Sequence, residues 1–234
     1  MVDIYISELP KGSRKILTTH FFSTLPEEYR QKIRSFYKID DQLRTAIGWK
    51  LLNFILINKF QINEQDIVIK TNSYGKPFLY GNSNIHFNIS HSGNKVVCVV
   101  DKSPVGVDIE QMTKINIDEL LPLLTKQEQK IFNNIDSLKK KQSMFYRLWT
   151  LKESYLKAKG TGFLESFGPY KIKGSIEDDV VEVEEINTGD SYYCRNLKIN
   201  NEYALAYCTK SNKAEYTLVT IEDKFFHETK DLKG

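Results

Sequence analysis

"DKSPVGVDIE" (Asp101–Glu110) is where the chain begins a second time. Upstream of it, "MVDIYISEL" alternates like a strand, and "PEEYRQKIRSFY" and "DDQLRTAIGWKLLNFILI" carry helical spacing. Extended runs follow in "DIVIKTN", "KPFLY", "IHFNIS" and "KVVCVVD". Downstream, "VGVDIE" is another short strand, and two helical stretches come next, "IDELLPLLTKQEQKIFNNI" and "KKQSMFYRLWTLKESYLKAK". Strands return in "YKIKG", "VVEVEEI", "YYCRNLKI", "EYALAYC" and "YTLVTI", separated by Gly, Asn, Asp and Ser turn signals. Strand, two helices, several strands thus occurs twice, with the joint near Ser103–Pro104 and little residue identity between the halves. The expectation is an α+β pseudo-dimer of subdomains 1–103 and 104–234, with a site in the cleft between them.

Composition narrows the function classes. The 234 residues are 41% apolar, enough for a packed core, and 33 basic against 30 acidic residues leave a net charge of +3. That balance neither demands nor excludes a nucleic acid, and an electrostatic partner must be met by a local patch. Three cysteines without metal-ligand spacing (Cys98, Cys194, Cys208) read as ordinary thiols in a reducing compartment. "LLNFILI" is too short to span a bilayer, and no basic segment precedes the first strand, so a soluble cytoplasmic protein is expected.

In "VGVDIE", period-two alternation puts Val105, Val107 and Ile109 on one face and Gly106, Asp108 and Glu110 on the other. Two adjacent carboxylates repel unless a cation lies between them or both face water. Gly106 is expected to leave that face open to a bulky ligand.

"LWTLKESYLKAKGTG" (Leu148–Gly162) reads as a helix running into a glycine stop at Gly160. Its apolar arc holds Phe145, Leu148, Leu151, Tyr155 and Leu156, yet Lys152 falls inside the arc, and Glu153 and Lys157 lie along its border. A lysine in an apolar stripe either snorkels or meets a carboxylate. If the arc packs on the "GVDIE" face, three carboxylates converge with lysines around them. Hard oxygen ligands without His or Cys favour Mg²⁺, with phosphate oxygens as further ligands. A phosphate-bearing substrate also needs cationic and hydroxyl groups. "NISHSG" supplies Ser90, His91 and Ser92, "YGKPF" supplies Lys76, and the first helices supply Lys32, Arg34, Arg44 and Thr45.

Together "FNISHSG", "VGVDIE" and "LWTLKESYLKAKGTG", with "YGKPF" and "FYKIDDQLRTAIG" before them, resemble the 4′-phosphopantetheinyl transferases of the surfactin-synthetase-activator type. The resemblance covers nearly the whole chain. It implies transfer of the phosphopantetheine arm of coenzyme A to a serine of an acyl or peptidyl carrier protein, releasing adenosine 3′,5′-bisphosphate, with Mg²⁺. It implies a monomeric pseudo-dimer with no nucleic-acid or membrane partner. By motif, Asp108, Glu110 and Glu153 are the expected metal carboxylates. Lys32, Arg44, Thr45, Lys76, Pro77, Ser90, His91 and Lys157 are the expected coenzyme A contacts, and Glu153, Lys157 and His91 the expected catalytic set. Two departures stand out: Tyr29 where relatives often have a basic residue, and "LTKQE" (Leu124–Glu128) where an aromatic usually leads the element. Lys152 is expected to pair with a carboxylate near the metal, and the carrier to dock around Ile115–Leu124. The rival readings are a magnesium-dependent nuclease or phosphatase and a non-catalytic carrier- or coenzyme A-binding module.

Overall fold

The computed structural model describes residues 1–9, 22, 25–162, 170–212 and 215–222. The first half runs β1 (Val2–Glu8), α1 (Glu27–Arg34), α2 (Ile39–Asn58), β2 (Ile69–Thr71), β3 (Pro77–Leu79), β4 (His86–Ser92) and β5 (Lys95–Asp101). The second runs β6 (Val105–Gln111), α3 (Ile117–Leu120), α4 (Lys126–Asn133) and α5 (Leu138–Lys159). It then continues through β7 (Tyr170–Lys173), β8 (Val181–Glu185), β9 (Ser191–Leu197), β10 (Tyr203–Thr209) and β11 (Tyr216–Ile221). The first helical stretch of that half is broken, because Pro122 turns Leu121–Leu123 into a single 3₁₀ turn between α3 and α4.

Two sheets result, β11-β1-β5-β4 and β6-β10-β9-β8-β7, with β2 and β3 forming a separate ladder. β11 crosses back to pair in parallel with β1, so the chain's last described strand belongs to the first half's sheet. The apolar faces of the two sheets meet: Ile4, Ile6, Val97 and Val99 pack against Val105, Val107, Ile109, Leu205 and Tyr207. The outer face of the first sheet is covered by α2 through Leu43, Leu52 and Leu56, and that of the second by α5 through Leu151, Tyr155 and Leu156. The order helix, sheet, sheet, helix explains "KVVCVVD" and "YALAYCT", which are buried on both faces and so lack alternation.

Cys194 and Cys208 stand directly opposite each other on β9 and β10 and are joined by a disulfide, while Cys98 is free and buried. This corrects the expectation of three ordinary thiols; a spacing of fourteen residues is silent about a cross-strand pair until the register is known. No described helix is long and apolar enough to cross a membrane.

Candidate active site

The two sheets meet edge to edge as well as face to face, and the site grows from that seam. One edge of β6 pairs with β10, which leaves the amides of Val107, Ile109 and Gln111 facing away from the ladder. Side chains of β4 take them. Asn88 Oδ1 accepts from the Val107 amide at 3.0 Å, Ser90 Oγ from Ile109 at 3.4 Å, and Ser92 Oγ from Gln111 at 3.0 Å. Three polar side chains at period two thus match three amides at period two, fixing the halves in register.

The same hydroxyls reach the carboxylates. Ser90 donates to Asp108 Oδ1 at 3.0 Å and Ser92 to Glu110 Oε2 at 2.8 Å. Strand alternation turns His91 the other way, toward α2, where Arg44 and Asp41 are its electrostatic neighbours. The "SHS" element therefore presents two hydroxyls to the seam and the imidazole to the helix, rather than all three to one ligand.

Helix α5 supplies the rest. Ser137 caps its start, Gly160 in the left-handed conformation (φ 79°) ends it, and its backbone rests on Gly106. A Cβ at that glycine would overlap the Ser154 carbonyl and the Ala158 amide. Gly106 was expected to open the face to a ligand; instead the helix fills it, and this close approach brings Glu153 and Lys157 over Asp108 and Glu110. Lys157 Nζ donates to Asp108 Oδ1 at 2.6 Å and to Ser90 Oγ at 3.0 Å, tying helix, second sheet and first sheet at one point.

Asp108, Glu110 and Glu153 lie within electrostatic reach of one another and of Lys157. Burial raises the pKa of Asp108 and, with the neighbouring Asp108 charge, that of Glu110. Burial, then the Asp108 charge, pushes Glu153 up to about 7. Asp108 Oδ2 and Glu153 Oε1 are buried and have no hydrogen-bond partner. Orphaned carboxylate oxygens with raised pKa values fit a hard divalent cation. Among the described residues, however, no three potential ligands are closed into a ready cage.

The other expected contacts divide. Arg44 donates to the Gly93 carbonyl and to Asp41 Oδ1, each at 2.6 Å, and Thr45 bonds the Asp41 carbonyl within its own helix at 2.8 Å. Lys76 Nζ is held by the carbonyls of Ala158 at 2.9 Å and Val105 at 3.1 Å, and burial lowers its pKa to about 8. With Asn72, which donates to the Gly160 carbonyl at 2.9 Å, it straps the end of α5 to the first half. Lys32 and Pro77 lie apart from the carboxylates, lining a 380 Å³ cavity with Tyr29, Trp49 and Lys70.

Lys152 meets a carboxylate inside the apolar arc: it is 2% exposed and pairs with Glu128 at 2.7 Å. Glu128 also accepts from the Thr125 amide while Thr125 Oγ1 accepts from the Glu128 amide, a capping box that starts α4. The T-x-x-E spacing of "LTKQE" is the sequence signal that could have placed it. In the expected docking stretch Ile117 and Leu124 are buried, while Asn116, Asp118, Glu119, Pro122 and Leu123 are exposed.

Two α+β halves joined at an acidic, lysine-bordered seam define a two-lobed transferase, and the comparisons say of which kind. Residues 104–208 match the family described as the 4′-phosphopantetheinyl transferase superfamily, and residues 14–103 the description "4′-phosphopantetheinyl transferase, N-terminal". The chain is 31% identical over 205 residues to 4′-phosphopantetheinyl transferase Sfp of Bacillus subtilis (strain 168), covering 87% of this chain and 91% of that protein. It is 32% identical over 193 residues to the transferase ffp of Bacillus subtilis, covering 82% and 84%. Identity to the transferase gsp of Aneurinibacillus migulanus is 32% over 162 residues, covering 69% and 67%. The chain belongs to the 4′-phosphopantetheinyl transferase superfamily and is an enzyme of that class.

Proposed function

We propose that the protein transfers the 4′-phosphopantetheine arm of coenzyme A to a serine of an apo acyl or peptidyl carrier protein, releasing adenosine 3′,5′-bisphosphate. The observation that carries this reading is the seam itself. Asp108 and Glu110 from one half, hydroxyls from the other, and Glu153 and Lys157 from α5 converge where two carboxylate oxygens have no partner.

Asp108, Glu110 and Glu153 are the residues that would hold Mg²⁺, which when bound neutralises diphosphate charge and makes the β-phosphorus more electrophilic. Lys157 lies beside them and is suited to accompany the charge that grows on the departing bisphosphate. His91 and Arg44, with Ser90 and Thr45, border the first-half side, where the diphosphate of coenzyme A would lie; Lys32 and Pro77 line the cavity suited to its nucleotide end. Lys76 contributes by holding the end of α5 in place.

In the reaction the serine Oγ bonds to the β-phosphorus as the bond from that phosphorus to the bridging oxygen breaks. The serine proton passes to Glu153, directly or through water, and the bridging oxygen leaves with the bisphosphate. Positioning and charge neutralisation supply most of the rate enhancement. Incubation with coenzyme A, Mg²⁺ and an apo-carrier domain should add one phosphopantetheine by mass spectrometry. Unchanged carrier mass, with hydrolysis of generic phosphodiesters instead, would overturn the reading.

A further inference from the structure

The turn that follows β4 is held from three sides. Gly93 and Asn94 make a two-residue hairpin between Ser92 and Lys95, with Gly93 in the left-handed region (φ 56°) that its first position requires. On one side, Ser92 donates to Glu110 Oε2 at 2.8 Å. On another, the Gly93 carbonyl accepts from Arg44 at 2.6 Å. A metal carboxylate and a cation assigned to the diphosphate thus hang on the same few atoms. Where the turn sits decides how far apart they stand.

The third hold comes from the second half. Tyr203, the first residue of β10, is buried in the layer between the sheets, and its hydroxyl emerges at the turn. That hydroxyl donates to Asn94 Oδ1 at 2.8 Å and accepts from the Asn94 amide at 3.1 Å. It lies so close to Gly93 that a Cβ there would overlap it. The ring is fixed in turn, with Lys95 Nζ 5.3 Å from its centroid and the Tyr203 amide donating to Asn200 Oδ1 at 3.1 Å. In the ladder Tyr203 stands opposite Gln111, whose amide Ser92 takes, and its neighbour Ala204 stands opposite Glu110. The strand pair that carries Glu110 therefore also carries the phenol that clamps the turn. Asn94 is exposed, so water would satisfy its groups if the phenol let go. The two bonds accordingly add little to stability, and what they accomplish is placement.

We propose that Tyr203 is a positioning residue for the transfer. Its hydroxyl fixes the Gly93–Asn94 turn, so that Arg44 and the strand bearing Glu110 meet one coenzyme A diphosphate at a single spacing. The proposal rests on the transferase reading for the identity of that ligand. On the full-length protein, calorimetry measures coenzyme A binding in the presence of Mg²⁺, and NMR measures hydrogen exchange at the Asn94 amide. Carrier loading is followed in parallel.

Tyr203→Phe should weaken coenzyme A binding and raise KM for coenzyme A roughly fivefold, about the worth of one ordinary hydrogen bond. It should also speed exchange at the Asn94 amide and leave KM for the carrier unchanged. Asn94→Ala keeps the bond from the amide to the hydroxyl, so a loss of roughly twofold is expected. The double variant should be no worse than Tyr203→Phe, because both changes act through one hydroxyl. If Tyr203→Phe does not fold, the exposed Asn94→Ala decides the matter, and an unchanged coenzyme A affinity in it overturns the proposal. Unchanged affinity in a folded Tyr203→Phe overturns it as well, whether or not the Asn94 amide exchanges faster. Equal losses for coenzyme A and carrier would do the same, since they mark a general loosening. Wild-type protein that binds coenzyme A but transfers nothing, with the variants weakened as expected, upholds the positioning role and overturns the transferase reading.

Discussion

Replacing Glu153 with glutamine should stabilise the metal-free protein, and by an amount that depends on pH in a calculable way. The side chain is 4% exposed, its Oε1 has no partner, and burial with the Asp108 charge moves its pKa from 4.5 to about 7. A carboxyl with a folded pKa above its unfolded one binds more protons folded than unfolded within that window. Stability therefore falls as pH rises from about 4.5 to about 7, and the loss is complete above that range. The full shift corresponds to about 3 kcal/mol. Glutamine keeps the shape and removes the charge, so its advantage over wild type should grow by about 2.5 kcal/mol between roughly pH 5 and roughly pH 8. For a chain of this size that is a relative rise in Tm of about 5–10 °C. Denaturant unfolding in the presence of a chelator, at both pH values, measures it. Mg²⁺ at about 100 times its Kd should stabilise wild type by about 2.7 kcal/mol and the variant by much less. An advantage that is the same at both pH values would refute the reasoning, because Glu153 would then carry no uncompensated charge in the seam.

Other perturbations separate the parts of the site. Gly106→Ala forces a methyl into helix backbone that cannot turn aside, so a loss of about 1–3 kcal/mol or more, read by denaturant midpoint, is expected. Ser92→Ala removes the hydroxyl that joins Glu110 to the Gln111 amide; calorimetry should show weaker Mg²⁺ binding, with about 1 kcal/mol of lost stability. Lys157→Ala should lower turnover at saturating coenzyme A by about 10²-fold, measured in the carrier-loading assay. Lys152→Met alone should cost about 3–5 kcal/mol by stranding buried Glu128, and pairing it with Glu128→Gln should recover much of that in a double-mutant cycle.

Residue pattern carried the fold a long way, and the reasons are local. The repeated order of strand, helices and strands is written in periodicity, and the glycine stop of α5 in Gly160 itself. The pair Asp108 and Glu110 was legible because period-two alternation needs only a strand. What failed to show were relations set by contact between elements. Gly106 looked like an opening because its partner, the backbone of α5, is some fifty residues away. Lys152 looked misplaced because the helix was read as having one buried face, whereas Thr150 through Leu156 are covered all round. That Ser90 and Ser92 also take the amides of β6 was hidden, because nothing in "NISHSG" reveals that the neighbouring strand edge is short of acceptors.

That edge also explains why the chemistry sits where it does. Asp108 and Glu110 point toward α5 only while β6 keeps its register, and the register of β6 against the first half is held by Asn88, Ser90 and Ser92. A slip of one residue would turn both carboxylates into the apolar layer between the sheets and bring Val107 and Ile109 out beneath Glu153. Ser90 and Ser92 are thus shared between two tasks, each accepting from an amide of the seam while donating to a carboxylate. Joining the halves and aiming the carboxylates are one set of hydrogen bonds, so a substitution that loosens the seam should weaken metal binding before it unfolds either half.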